Sequence, residues 1–197
     1  MTQLDSMMIL TAQKFLSRAD PVMKALIKRS TIFALKPDPV QSPFEALTRA
    51  IASQQLHGAA AEAILGRFIT LVPEKSFPEP DDIEQLTNDQ IRSAGFSYGK
   101  IRTIRDLAEK VSTGVVPSPE EINSLDDDTI VSRITQVRGI GRWTVEMLLI
   151  FKLGRMDVLP VMTLVSGKVL CGRTALWRCQ NRKRYSPMER SGDHIAP

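Results

Sequence analysis

Serine- or aspartate-capped helix starts recur along the chain, and they constrain the fold more than any other feature of the sequence. Ser42 stands before Pro43 at the first helical position, and Phe44, Leu47 and Ile51 follow at helical spacing. Convincing alternating strand patterns are absent from the sequence. The sequence therefore predicts an all-α fold.

Comparable capping and spacing signals predict further helices. Their predicted starts are Ala59, Thr87-Asn88, Lys100, Ser118-Pro119, Asp126 and Trp143. The acidic run Asp126–Asp128 is interpreted as a cap and surface feature. It is not expected to bind metal, because no complementary ligands follow at useful spacing.

Length and composition limit the class of protein. With 197 residues, 43% of them hydrophobic, the chain can bury one sizeable core. No apolar stretch approaches the roughly 18 residues that span a bilayer, and the first residues lack the pattern of a signal peptide. The two cysteines, Cys171 and Cys179, make no disulfide framework or metal spacing. We therefore expect a cytoplasmic protein (nuclear if eukaryotic), with no membrane partner and a monomeric state.

The net charge of +4 is unevenly distributed. Residues 162–197 contain seven basic and two acidic residues, whereas residues 1–161 carry a net charge of −1. Residues 162–197 also have scattered glycines and no sustained apolar period. The sequence predicts a helical domain over 1–161 and a divergent basic tail over 162–197 that is poorly ordered. Any nucleic-acid contact in the body must then come from a local patch.

A short glycine-containing segment between two predicted helices is the strongest candidate for ligand contact. It runs Val137-Arg138-Gly139-Ile140-Gly141, and Arg142-Trp143-Thr144 starts the second helix. Two glycines one residue apart allow positive φ and expose backbone N–H groups, which suits a phosphate. Ile140 is predicted to tuck between the helices. The alternative for a short G-x-G is an ordinary turn.

Three longer stretches resemble one family when taken together. They are "SPFEALTRAIASQQL", "GFSYGKIRTIRDLAEKV" and "VRGIGRWTVEMLLIFKLGRMDVLPV". They resemble the helix-hairpin-helix DNA glycosylases, in the DNA-3-methyladenine branch, over about residues 1–161. The resemblance implies a helix-hairpin-helix glycosylase fold, incomplete at the C-terminus. It also implies base-excision repair: alkylated purines are flipped out of double-stranded DNA and the N-glycosidic bond is hydrolysed.

The resemblance assigns expected roles to individual residues. The expected DNA-binding residues are Arg138, Gly139, Ile140, Gly141, Arg142 and Thr144. The expected lesion wedge or pocket residues are Gln54, Gln55, Ser97, Tyr98 and Trp143. Other readings remain open: a polar helix end for Gln54-Gln55, an interhelical turn for Ser97-Tyr98, and core packing for Trp143. We favour packing for Phe96.

No cofactor is expected, apart from a monovalent cation that the family's hairpin can hold through backbone carbonyls. Such an ion leaves no side-chain signature in a sequence.

The family's catalytic carboxylate is missing from its expected place. In the family, a pattern like Leu-Pro-Val-Asp-Asp follows the second helix of the hairpin, and its second aspartate is catalytic. Here Met162 and Thr163 occupy the two aspartate positions. Asp157 belongs to the ordinary lead-in, and Glu146 is predicted to be solvent-facing or to have a structural role near DNA. Neither is expected to replace the lost charge, so catalysis is predicted to be impaired.

A single-base deletion is the leading hypothesis for this departure. Inserting one G after the codon for Val161 allows the same bases to encode Val-Asp-Asp-apolar-Gly-Val-Arg, the family pattern. Ser191-Gly192-Asp193-His194 can shift in the same direction to Gln-Trp-Arg-Ser, which resembles a late family segment. Two further hypotheses stay open: a non-catalytic module that binds damaged DNA, and a defective frameshifted product.

Overall fold

The computed structural model describes residues 6–30, 42–155, 157, 158 and 160. Within these residues the secondary structure is helical and contains no strand, as predicted. None of the helices described there is long and apolar enough to cross a membrane. The helices are α1 (Ser6–Ala19), α2 (Pro21–Arg29), α3 (Pro43–Ser53), α4 (Gly58–Ile69), α5 (Pro80–Gln85), α6 (Asn88–Ser93), α7 (Tyr98–Ser112), α8 (Asp127–Ile134) and α9 (Arg142–Phe151).

The described residues fall into two compact units, and the smaller one contains α1 and α2. These helices pack against each other. Asp20 separates them, and its carboxylate accepts hydrogen bonds from the N–H groups of Val22 and Met23. Pro21 at the first helical position has no N–H group and needs no acceptor, so Asp20 caps the start of α2.

The larger unit contains α3 to α9, and α7 lies at its centre. This helix packs against α3, α5 and α6, while α9 packs against α8 and α3. Phe96, just before α7, is 1% exposed and meets Phe68 edge-to-face with ring centroids 5.2 Å apart. The packing role favoured for Phe96 is confirmed. Other fully buried side chains of this core are Leu47, Ile51, Leu65, Ile83, Ile101, Ile104, Leu107 and Ile130.

Several predicted helix starts are confirmed by their caps. The Ser42 hydroxyl accepts the N–H of Glu45 at 3.1 Å, and the Asp126 carboxylate accepts the N–H of Thr129 at 2.9 Å. Thr87 forms a reciprocal capping box at the start of α6. Capping residues next to apolar residues at helical spacing therefore located these starts correctly.

Two predicted helix starts differ from the structure. The prediction of a helix at Ser118-Pro119 is wrong, because residues 119–124 form only turns before Asp126 caps α8. Arg133 on α8 forms an ion pair with Glu121 in this segment and donates to the carbonyl oxygens of Gly114 and Val115 just before it. The helix predicted from Lys100 begins earlier, at Tyr98, because the hydroxyl of Ser97 caps it.

The contrast between Phe96 and Tyr98 gives a stability prediction. Phe96→Ala should lower the free energy of unfolding by about 3–5 kcal/mol, because it opens a cavity against Phe68. Tyr98 is 54% exposed, so Tyr98→Ala should cost no more than about 1 kcal/mol, including its contact with Arg92. Urea unfolding of both variants measures the difference, and equal losses would contradict the packing described for Phe96.

Candidate nucleic-acid interface

A short hairpin, residues 135–141, joins α8 to α9. Val137 and Ile140 point inward and are 1% and 4% exposed, so the predicted burial of Ile140 between the helices is confirmed. The Ile140 N–H donates to the Val137 carbonyl oxygen at 3.1 Å and closes a tight turn. Burial of these two apolar residues fixes the hairpin to the body of the larger unit.

The two hairpin glycines have different roles. Gly139 has a φ of +75°, and a Cβ there would lie 2.9 Å from the hydroxyl oxygen of Thr103 on α7. Gly141 has a φ of −93°, and a Cβ there would meet nothing within 4 Å. The expectation of positive φ is therefore right for Gly139 and wrong for Gly141. Glycine is required at 139 by both backbone conformation and close packing.

The hairpin and the start of α9 present backbone N–H groups that are free to bind a ligand. Those of Gly139, Gly141, Arg142 and Trp143 have no acceptor in the described part of the chain. Gly141 caps α9 without a side chain, and the first turn of α9 contains no acidic residue. Several amides and the positive end of a helix dipole therefore meet at one place, which favours an anion such as a phosphate.

Asp106 on α7 fixes the entrance to the hairpin. Its carboxylate accepts the backbone N–H of Arg138 at 2.6 Å and the ammonium of Lys110 at 2.9 Å. Burial by itself would raise the pKa of Asp106, but these hydrogen bonds outweigh it and hold the pKa below its ordinary value. The ionised carboxylate is thus the form that holds the hairpin.

The turn after α3 meets the hairpin from another side. The side-chain amide of Gln54 donates to the carbonyl oxygen of Gly139 at 3.2 Å. The ammonium of Lys100 donates to the carbonyl oxygens of Ala52 and Gln54 at 2.8 and 2.9 Å. Burial lowers the pKa of Lys100 from its ordinary value. The structure thus joins Gln54 to the hairpin, and it joins both to α7.

Exposed apolar and aromatic side chains lie at the start of α7, at the start of α9 and on the turn after α3. Tyr98 and Trp143 are 54% and 48% exposed, so Trp143 lies at the surface and not in the core. The guanidinium of Arg92 lies 4.3 Å from the centroid of the Tyr98 ring. Leu56, which sequence reasoning overlooked, is 41% exposed and follows Gln55, whose φ is +58°. An exposed leucine beside a non-glycine residue in the left-handed region is an unusual surface feature.

The two hairpin arginines lie in different surroundings. Arg142 donates from Nε to Glu146 at 3.0 Å and lies 3.8 Å from Asp128. Arg138 is exposed, and its guanidinium has no hydrogen-bond partner among the described residues. Of the two, Arg138 is the arginine with its charge available. Thr144 is buried, and its backbone N–H already donates to the carbonyl oxygen of Gly141 at 3.0 Å.

Glu146 is not solvent-facing, so that part of its prediction is wrong. It is 3% exposed, and it forms an ion pair with Arg142, which lies four residues earlier on the same helix. Its second oxygen, Oε2, is buried without a hydrogen-bond partner in the described part of the chain. Pairing with Arg142 is what makes the burial of this charge tolerable.

Among the described residues, no group of three or more His, Cys, Asp or Glu side chains could hold a metal ion. The carbonyl oxygens of Ile134, Val137 and Gly139 each accept a protein hydrogen bond and retain a second lone pair. Carbonyl ligation of a monovalent cation thus stays a prediction.

The positions that the family resemblance assigns to the catalytic carboxylate are not among the described residues. Met162, Thr163 and the whole predicted tail, residues 162–197, lie outside the described residues.

Comparison with known proteins gives a family match. The family model described as "HhH-GPD superfamily base excision DNA repair protein" matches residues 48–191. This range includes the hairpin, the turn after α3 and α7.

Two curated relatives come from Schizosaccharomyces pombe. DNA-3-methyladenine glycosylase 1 is 46% identical over 120 residues, which cover 61% of this chain and 53% of the relative. Alkylbase DNA glycosidase-like protein mag2 is 34% identical over 150 residues, covering 76% of this chain and 70% of the relative. The chain thus spans about half the length of the first relative.

A solved structure shares the fold. It is the S. pombe 3-methyladenine DNA glycosylase in complex with abasic DNA, with a TM-score of 0.68 and 33% sequence identity. The match covers 89% of this chain and 98% of that one.

The two glycines make a matched pair for mutation. Gly139→Ala should lower the free energy of unfolding by about 1–3 kcal/mol, because alanine is strained at positive φ and its Cβ would crowd Thr103. Gly141→Ala should cost less than about 1 kcal/mol, because its Cβ would enter open space. Thermal unfolding of the two variants and the wild type measures the two losses of stability. Equal losses for Gly139→Ala and Gly141→Ala would contradict the different structural roles of the two glycines.

Asp106 gives a pH prediction. Because its folded pKa is lowered, its contribution is fully present above the unfolded value of about 3.9 and is lost as pH falls through the folded pKa. Asp106→Asn should therefore be less stable than the wild type by about 1 kcal/mol at pH 7, and the difference should shrink below about pH 4. Urea unfolding between pH 7 and 3.5 tests this, and a difference that does not change with pH would contradict it.

Proposed function

The chain belongs to the HhH-GPD superfamily of base excision DNA repair proteins, and we propose that it is a DNA-3-methyladenine glycosylase-type protein that binds alkylated double-stranded DNA. The observation that carries the proposal is the group of free backbone amides at the hairpin and the start of α9. These amides offer donors to a phosphate without depending on base sequence. The exposed guanidinium of Arg138 adds a positive charge next to them.

The surroundings of the hairpin support contact with a distorted duplex. Proteins that kink DNA insert apolar side chains between base steps. Leu56 and Tyr98 are exposed side chains of this kind, and both lie on segments tied to the hairpin by hydrogen bonds. We assign them to filling the space that a flipped nucleotide leaves. Trp143, half exposed in the first turn of α9, offers an aromatic face to a flipped base.

The chemistry of the substrate limits what the protein must supply. An alkylated purine such as 3-methyladenine is cationic and leaves readily, so little general acid is needed. The positive charge that develops on the sugar is stabilised by a carboxylate, as in glycosidases. Met162 and Thr163 occupy the positions where family resemblance expects that carboxylate, and neither side chain can carry a negative charge.

Glu146 is a poor substitute for the missing aspartate. Its Oε1 is held by Arg142, and the whole side chain is buried beneath the first turn of α9. Stabilising a cationic sugar requires the carboxylate to be within reach of the substrate and free of a competing cation. The ion pair with Arg142 removes that freedom, so base excision by this chain is expected to be slow.

A second candidate function is binding of damaged DNA without base excision. The hairpin has free amides and an exposed arginine, while the expected carboxylate positions are Met162 and Thr163. A chain of this kind can act as a non-catalytic module that binds damaged DNA. The deletion of one base after the codon for Val161 is the proposed origin of the change, and sequencing the gene on independent reads tests it.

Measuring base release separates the two functions. On methylated duplex DNA, the chain should release alkylated bases about 10² to 10³ times more slowly than the product of a gene with the single base restored. The reason is the loss of one preorganised negative charge. Release of 3-methyladenine under single-turnover conditions is the measurement.

The controls distinguish slow chemistry from lack of binding. Met162→Asp combined with Thr163→Asp restores the acids without changing the rest of the tail, and the base-restored gene is the positive control. Equal rates for the chain and the restored product would overturn the proposed impairment. Absence of binding to a duplex that contains an abasic site would overturn the DNA-binding function itself.

A further inference from the structure

We propose that Lys100 is a positioning residue that holds the turn after α3 against the hairpin. Leu56 on this turn and the free backbone amides of the hairpin then meet DNA in one fixed relative position. This inference rests on the proposed function. Lys100 lies on α7, and nothing in its helical pattern separates it from an ordinary surface lysine at a helix start.

The first support is the geometry of the ammonium group. Its two hydrogen bonds, to the carbonyl oxygens of Ala52 and Gln54, join residues 48 and 46 positions apart in the chain. Ala52 lies in the last turn of α3 and Gln54 is its C-cap residue, and backbone oxygens at a helix end have no partner within the helix. Lys100 therefore acts as the C-terminal cap of α3, supplied by a distant helix.

The second support is the backbone that follows. Gln55 has a φ of +58°, although it is not glycine. A residue in this region persists only when its surroundings hold it there. The Lys100 hydrogen bond fixes the Gln54 carbonyl, which belongs to the peptide unit directly before Gln55. The direction in which Leu56 projects depends on that peptide unit.

The third support is the link from the same turn to the hairpin. The Gln54 side chain donates to the carbonyl oxygen of Gly139, the residue whose positive φ shapes the hairpin. Gln54 thus receives a hydrogen bond from Lys100 at its carbonyl and donates one to Gly139 from its side chain. One short path connects α7, the turn that carries Leu56, and the free amides of the hairpin.

The charge environment indicates more than stabilisation of the fold. In the described part of the chain, Lys100 forms no ion pair with a carboxylate, and its partners are neutral carbonyls. Lys100 is partly buried, and partial burial of a cation costs some free energy that neutral acceptors do not fully offset. An approaching phosphate backbone would compensate this charge. The lysine is then both a clamp for the turn and a positive charge beneath the proposed interface.

The test compares damaged and undamaged DNA. The full chain and Lys100→Met bind two labelled duplexes of one sequence, one with a tetrahydrofuran abasic-site analogue, and fluorescence anisotropy gives both affinities. We expect Lys100→Met to lose about tenfold in affinity for the abasic duplex and less than about threefold for the undamaged one. A residue with only a structural role would lower both affinities together.

The matched control is Arg102→Met. Arg102 is exposed on α7 and makes no hydrogen bond within the described residues, so this variant removes the same charge from the same helix. It should lower both affinities slightly and equally. An Arg102→Met variant that loses discrimination as Lys100→Met does would overturn the specific role of Lys100.

A measurement without DNA keeps the inference testable if binding fails. In the free protein, the Leu56 amide donates to the Ser53 carbonyl oxygen at 3.2 Å. Lys100→Met should speed hydrogen exchange of this amide at least about tenfold relative to wild type, while amides in the middle of α7 stay unchanged. Unchanged exchange at Leu56 would overturn the clamp.

The outcomes separate the two proposals. A wild-type chain that binds neither duplex would overturn the proposed function, and the role of Lys100 in DNA register with it. A wild type that discriminates, beside a Lys100→Met variant that discriminates equally well, would overturn only the role of Lys100.

Discussion

The hydrogen bond between the Asp106 carboxylate and the backbone N–H of Arg138 fixes the part of the protein on which the proposed function depends. It uses a charged acceptor to hold one hairpin amide, while the next amides stay free for a ligand. Thr103, one turn earlier on α7, packs so closely against Gly139 that a side chain there would be crowded. The amides are therefore preorganised by α7, and binding a phosphate need not pay for ordering a flexible loop.

Local signals predicted the helices well, and non-local contacts explain what they missed. Capping residues found the starts of α3, α6 and α8, because a cap acts within three residues of its own position. At Ser118 the cap forms, because its hydroxyl accepts the N–H of Glu121, but only turns follow before Asp126 caps α8. Lys100 and Asp106 act on backbone groups 46 and 32 residues away, and nothing in the helical period of α7 marks such contacts.

The candidate site was predicted in outline for a related reason. The hairpin glycines and Gln54 stand out in the sequence, and one hydrogen bond joins Gln54 to the first of these glycines, Gly139. What the sequence left open was the state of each charge. Arg138 and Arg142 look equivalent beside the glycines, but Arg142 forms an ion pair with buried Glu146, whereas Arg138 keeps its charge exposed. The positive character of the proposed interface therefore comes from backbone amides, Arg138 and the partly buried Lys100, and not from a cluster of exposed basic side chains.

The proposed DNA-binding residues and the expected catalytic positions lie in different parts of the chain. The amides, Arg138 and the turn after α3 all precede residue 142 or lie at the start of α9, whereas the expected carboxylate belongs after α9, at Met162 and Thr163. Contacts to phosphates are made equally with bound substrate and with the transition state, so they contribute to affinity and little to the chemical step. A carboxylate that faces a developing cationic sugar does the reverse. A change confined to the residues after 161 can therefore remove excision while the proposed DNA contacts stay in place.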